Sequence, residues 1–184
     1  MYKVYPKIIL ACLLLVMTGT VYSQRVTQTI NDGWKFSLFE GDASTADFDI
    51  SGWTDVSIPH TWNAKDADDE ISGYFRGKGW YRKVVAVEEL IPEQRVYLSF
   101  EGANQETNVF VNGTFVGNHK GGYSAFTFDV TDYVHAGRNL IAVSVDNSHN
   151  PDIAPLSADF TFFGGIYRDV YLVYTSPVQL STTH

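Results

Sequence analysis

Between Val109-Phe110-Val111 and Thr114-Phe115-Val116 stands the dipeptide Asn112-Gly113. Both central residues of a type I′ turn need positive φ, which Asn and Gly tolerate and β-branched residues do not. The pair therefore predicts a tight hairpin with its two strands fixed in register. The same grammar recurs along the chain. Leu140-Ile141-Ala142-Val143-Ser144-Val145-Asp146 alternates with period two, and other short β-branched and aromatic runs stand between Gly, Asn, Asp and Pro. Strands are expected near residues 33–38, 55–58, 80–87, 95–101, 107–111, 114–118, 125–130, 140–146 and 169–174. Beyond the N-terminus no segment holds a 3.6-residue period over three turns, so helix content should be low. Eight to nine short strands predict an all-β sandwich or barrel, and fit a jelly roll.

The first residues read as a leader. Lys3 and Lys7 precede an apolar run through Met17, and Val21-Tyr22-Ser23 offers small residues before a cleavage point at Gln24. That run is too short to span a bilayer, which needs roughly 18 apolar residues or more. The domain plan is thus a signal peptide over 1–23, one sandwich over 24–175, and the start of a linker over 176–184. The product would be exported, periplasmic or secreted, with no membrane attachment after cleavage. Cys12, the only cysteine, lies inside the apolar run and not at its end, which disfavours a lipid anchor. Cleavage also removes Lys3 and Lys7, making a formal net charge of −8 still more negative. Such a surface repels phosphate backbones and excludes nucleic acid as a partner.

Catalytic and metal chemistry is hard to find. His60, His119, His135, His149 and His184 are scattered without metal-ligand spacing, so no metal and no cofactor are expected. Asp129-Val130-Thr131-Asp132 reads as a strand end capped by Asp and Thr more readily than as a calcium loop. Glycoside hydrolysis needs two carboxyl groups about 5–9 Å apart, one of them protonated. Asp66, Asp68, Asp69 and Glu70 supply carboxylates, but in a polar loop with nothing to desolvate one of them. Aromatic residues are the richer signal, at 15% of the chain with four Trp. Sugar rings stack C–H faces on aromatics while their hydroxyls bond Asp, Asn and Arg. Trp34, Trp53 and Trp80 fit a core. Trp62, in a loop after Pro59-His60, fits either a core or a sugar platform. Two long connections, 60–79 and 147–168, are the places for function or an interface.

Specific blocks then resemble a known family. Trp53-Thr54-Asp55-Val56-Ser57-Ile58-Pro59-His60-Thr61-Trp62 is similar to a stretch near the start of glycoside hydrolase family 2 enzymes. Tyr74-Phe75-Arg76-Gly77-Lys78-Gly79-Trp80-Tyr81, Phe110-Val111-Asn112-Gly113, Gly121-Gly122-Tyr123-Ser124 and Ser157 through Gly165-Ile166-Tyr167-Arg168-Asp169-Val170 follow in family order. The likeness is to the family's N-terminal sugar-binding domain, in enzymes of the β-galactosidase, β-glucuronidase and β-mannosidase type, with a β-galactosidase favoured. It implies a galactose-binding-domain-like jelly roll that partners an immunoglobulin-like domain and a TIM barrel carrying two catalytic glutamates. Those glutamates have no counterpart here, so no catalytic residue is expected in this chain. Asp159 falls where family β-galactosidases place an Asp that bonds substrate hydroxyls. Arg76 falls at another substrate-side position, an Asn in some of them, where it would contact a sugar hydroxyl, brace Asp159 or serve structure alone. Asp159, Arg76 and Trp62 are the expected carbohydrate-binding residues, for a galactoside-like ligand. A free-standing carbohydrate-binding module and a purely structural accessory domain are the competing readings.

Overall fold

The computed structural model describes residues 25–64, 74–157, 159 and 161–176. The leader, the acidic run from Asp66 to Glu70, Phe160 and the 177–184 tail lie outside the described residues. In chain order the strands are β1 (Arg25–Thr29), β2 (Trp34–Leu38), β3 (Thr54–Val56), β4 (Lys78–Val87), β5 (Arg95–Phe100), β6 (Glu106–Val111), β7 (Thr114–Lys120), β8 (Phe126–Asp129), β9 (Gly137–Asp146) and β10 (Val170–Thr175). They form two antiparallel sheets, ordered β1-β10-β5-β8 and β3-β2-β4-β9-β6-β7. Among the described residues the helical element is one 3-10 turn, Thr131–Tyr133. The jelly-roll sandwich expected from the strand pattern is the architecture observed.

The nine expected strands are all present, and β1 is the addition. Its sequence, Arg-Val-Thr-Gln-Thr, has no buried side chain, so no hydrophobic period announces it. Backbone pairing with β10, from Arg25↔Thr175 to Thr29↔Tyr171, holds it at the sheet edge. The hairpin at Asn112-Gly113 forms as predicted, with φ of 52° and 82° at the two residues. Asp129 caps its own strand end: its Oδ1 accepts the Thr131 hydroxyl at 2.6 Å and the Thr131 amide at 3.0 Å.

Period-two alternation explains which side chains meet. On β9, Ile141, Val143 and Val145 face inward and join Trp34, Tyr81, Leu98, Phe100, Ile166 and Leu172 in the core between the sheets. Trp80 and Arg82, next to inward-facing Tyr81, point the other way. They are buried all the same, because the 39–53 connection folds over that outer face. Ala43, Phe48 and Trp53 pack there with Trp80, Ala142 and Phe110. Trp80 Nε1 donates to the Gly41 carbonyl at 3.0 Å, and Arg82 Nη1 to that of Ala43 at 3.1 Å. Trp34, Trp53 and Trp80 are therefore core residues, but of two different cores.

Strand registers bring the functional connections to one end. Lys78 pairs with Asp146, Glu106 with Lys120, and Phe100 with both Val170 and Phe126. The described parts of the segments 57–77, 101–105, 121–125 and 147–169, which are 57–64, 74–77, 101–105, 121–125, 147–157, 159 and 161–169, consequently converge there.

Candidate functional site at the loop end

Three buried asparagines hold three of these segments together. Asn147 is wholly buried, and each of its polar groups is engaged. Its Oδ1 accepts the Gly77 amide at 2.9 Å, and its Nδ2 donates to the Phe162 carbonyl at 2.8 Å and to Asn63 Oδ1 at 3.4 Å. Asn63 accepts the Gly164 amide at 2.6 Å and donates to the Phe75 carbonyl at 2.7 Å. Asn104 donates from Nδ2 to the Phe163 carbonyl at 2.7 Å, while its backbone N–H bonds Gly165 O at 3.0 Å. An amide side chain carries donors and acceptors in one plane, so it can knit two loop backbones that lack each other as partners. Losing one such group strands several buried backbone atoms, at about 1–3 kcal/mol each.

Gly164 and Gly165 let the returning segment approach closely. A Cβ at Gly164 would fall 2.1 Å from the Trp62 ring, and one at Gly165, where φ is 120°, would fall 2.6 Å from the His60 carbonyl. His60 and Tyr81 anchor the other side. The Tyr81 hydroxyl and His60 Nδ1 are 2.8 Å apart, and the His60 amide donates to the Ile166 carbonyl at 2.8 Å. Burial pushes the Tyr81 phenol far up and the His60 imidazole down, so both are neutral near pH 7.

The expected site residues all sit at this end, in different roles. Asp159 is exposed on the 147–169 connection, and among the described residues no hydrogen bond reaches its carboxylate. Arg76 is half-buried: its Nε donates to the Asn147 carbonyl at 2.7 Å, and its guanidinium lies 5.0 Å from the Phe162 ring centre. The ion pairs of the described residues are Lys35–Asp55, Arg95–Asp129 and Lys120–Glu106, so Arg76 is braced by a carbonyl and a ring and not by Asp159. Trp62 turns inward. It stacks on Phe36 at 5.8 Å and 13°, with the Gly79 and Gly164 backbones against its benzo ring. It forms the floor beneath the loops. Among the described residues no three His, Cys, Asp or Glu side chains gather as a metal site.

Sequence reasoning missed the asparagines. Asn is ordinary in polar loops, and nothing in the sequence separates a buried, fully bonded one from a solvated one. Phe75, Tyr123, Leu156 and Phe163 are 45–56% exposed at or near this end, whereas Phe162 is buried.

The family described as glycosyl hydrolases family 2, sugar binding domain, matches residues 27–177. A beta-glucuronidase from Bacteroides fragilis is 37% identical over 172 residues, which cover 91% of this chain and 23% of that protein. A beta-galactosidase from Thermoanaerobacter pseudethanolicus is 40% identical over 151 residues, 80% of this chain and 19% of that protein. Among solved structures, Bacteroides uniformis beta-glucuronidase 2, covalently bound to cyclophellitol-6-carboxylate aziridine, is similar with a TM-score of 0.76 at 46% identity. That match covers 82% of this chain and 18% of the other. The chain thus spans about a fifth of the length of the relatives it matches.

Proposed function

The chain belongs to glycosyl hydrolases family 2 as its sugar-binding domain, and on that premise we propose that it forms one wall of a composite glycosidase active site. In this reading it is exported behind the 1–23 leader, occupies 24–175, and packs its loop end against an immunoglobulin-like domain and a TIM barrel. The barrel supplies the two carboxyl groups of a retaining glycosidase. This chain supplies sugar contacts. The substrate is a β-linked pyranoside of the glucuronide or galactoside kind, since relatives bearing both names match. The expectation of a galactosidase is widened accordingly.

One observation carries the proposal: Asp159 is exposed on a connection clamped on both sides of it. Asn147 anchors the start of that connection, and the Phe162, Phe163 and Gly164 backbones, each bonded by a buried Asn, fix it after Asp159. A carboxylate presented on such a connection accepts charge-assisted hydrogen bonds from sugar hydroxyls. Binding energy of that kind orients the sugar for attack. Arg76 contributes beside it, and Trp62 supports both from below. Exposed Phe75, Tyr123, Leu156 and Phe163 provide apolar surface for the neighbouring domains.

In the complete enzyme, Asp159→Ala should lower kcat/KM by roughly 10- to 100-fold, the value of one or two hydrogen bonds to a charged group. The melting temperature should hold, because Asp159 makes no buried contact. Unchanged kinetics would leave the domain a purely structural role. Millimolar or tighter sugar binding by residues 24–184 alone, lost in Asp159→Ala, would favour a free-standing binding module. Mass spectrometry of the secreted product should find Gln24 at the N-terminus.

A further inference from the structure

We propose that Asn112, at the tip of the β6–β7 hairpin, is a chemical modification site. Its side-chain amide forms a succinimide, and the fold holds that reaction shut until the hairpin leaves its neighbours. The proposal stands apart from the composite-site reading.

The sequence supplies the reacting pair. Asn112-Gly113 is the only Asn-Gly pair in the chain, and a residue without Cβ leaves its main-chain nitrogen free to approach the preceding side chain. Attack of Gly113 N on Asn112 Cγ forms an N–Cγ bond and breaks Cγ–Nδ2. Nδ2 leaves as ammonia, with the proton that Gly113 N gives up. Water then opens the cyclic imide at either carbonyl, yielding aspartate or isoaspartate at position 112. Water is the only co-reactant, and Asn112 is exposed to it.

The folded hairpin withholds the groups this needs. Asn112 Oδ1 accepts the Leu140 amide at 2.9 Å, and Nδ2 donates to the Tyr133 carbonyl and to Asn139 Oδ1, both at 2.9 Å. Its main-chain N–H is bonded to the Leu140 carbonyl at 2.8 Å. The carboxamide is therefore pinned on both its oxygen and its nitrogen, against β9 and the 130–139 turn. Turning Cγ toward Gly113 N gives up all three side-chain bonds. It also leaves Asn139, which is 0% exposed, without a partner for its oxygen's second lone pair. Reaction thus waits on a local opening of the hairpin.

Conversion is one-way for the same reason. A carboxylate accepts hydrogen bonds and cannot donate them. At position 112 it would set oxygen against the Tyr133 carbonyl and Asn139 Oδ1. Asn139 is not free to turn its amide round and offer a donor. Its Nδ2 holds the His135 and Gly137 carbonyls at 2.7 and 3.1 Å, and its Oδ1 accepts the His135 amide at 3.0 Å. Isoaspartate adds a further fault, since it lengthens the main chain inside a two-residue turn. A hairpin that has opened and reacted does not close as before, so position 112 records the opening.

The test follows residue 112 in the full chain by peptide mass spectrometry, in mildly alkaline buffer with and without unfolding urea. A synthetic peptide of residues 109–116 reports the unheld rate in the absence of urea. Conversion in the folded chain should run about 100-fold slower than in either, as expected for three ordinary hydrogen bonds. The converted chain, separated by its added negative charge, should unfold at lower urea than its parent, and so should Asn112→Asp. Asn139→Ala removes one partner of Nδ2 and should convert roughly 10-fold faster than wild type in buffer alone. Should that variant not fold, the wild-type comparison decides by itself.

Equal rates in the folded chain, the peptide and urea overturn the gate. No conversion at residue 112 in urea or in the peptide overturns the site. A converted chain that keeps its parent's urea midpoint overturns the one-way step. A folded Asn139→Ala that converts no faster than wild type removes the Nδ2 bonds as the restraint.

Discussion

The outer face of the six-stranded sheet and the loop end of the sandwich are both places where long connections lie on the strands, but different forces hold them. Over the outer face, the 39–53 connection is fastened mainly by apolar contact of Ala43, Phe48 and Trp53 with Trp80, Ala142 and Phe110. At the loop end, Asn63, Asn104 and Asn147 fasten three segments with directional hydrogen bonds. Apolar burial is non-directional and tolerates small shifts. An amide network fixes position to tenths of an ångström, because its energy falls steeply with distance and angle. One cover stabilises; the other positions.

The largest expected effect lies in the apolar region. Trp80→Ala should cost about 3–5 kcal/mol, the range for deleting a buried aromatic side chain. Urea denaturation would measure it, and the sugar preference of folded enzyme should persist. A changed preference would break the distinction drawn between the two regions.

Asn147→Ala comes next. It should cost about 2–3 kcal/mol, because the Gly77 amide and Phe162 carbonyl lose partners in a buried setting. It should also depress kcat/KM through Asp159 and Arg76, neither of which it alters. Stability loss without kinetic loss would reduce the asparagines to ordinary packing.

Protonation offers a finer probe. Burial holds the His60 imidazole below its ordinary 6.5. Below that value the unfolded chain takes up a proton that the folded chain resists. The contribution to stability is therefore present above pH 6.5 and is lost as pH falls through the lowered value. His60→Gln should flatten the dependence of the urea midpoint between pH 7.5 and 5. His119, shifted the same way by its own burial, leaves a residual slope. An unflattened profile would mean that the loop end is indifferent to His60.

The smallest effect belongs to Lys35, paired with Asp55 at 2.8 Å across β2 and β3, with side chains 38% and 78% exposed. Lys35→Ala should shift stability by about 0.5 kcal/mol or less. A larger change would show that the sheet edge matters more than either cover.

Much of the fold was legible because strands advertise themselves locally. Alternation in 140–146 marked β9, and Asn112-Gly113 marked the hairpin, since backbone dihedrals and side-chain facing are set by neighbours in sequence. β1 was not legible, because Arg-Val-Thr-Gln-Thr buries nothing and depends on a partner strand some 150 residues away. Of the site, Asp159, Arg76 and Trp62 were picked out by motif. The inward turn of Trp62 onto Phe36 and the brace of Arg76 on Asn147 were not.

By itself, then, the sequence determined an all-β sandwich and its hairpin, which follow from periodicity and short spacings, and the family to which it belongs, which follows from the resemblance of its ordered motif blocks. Only the tertiary structure decided that Trp80 belongs to a second core, that three dispersed asparagines form one clamp, and that Arg76 is braced on the Asn147 carbonyl. Those are contacts between residues up to 101 positions apart, as from Asn63 to Gly164. Whether such groups meet depends on how the sheets bring their ends together, which no local pattern encodes.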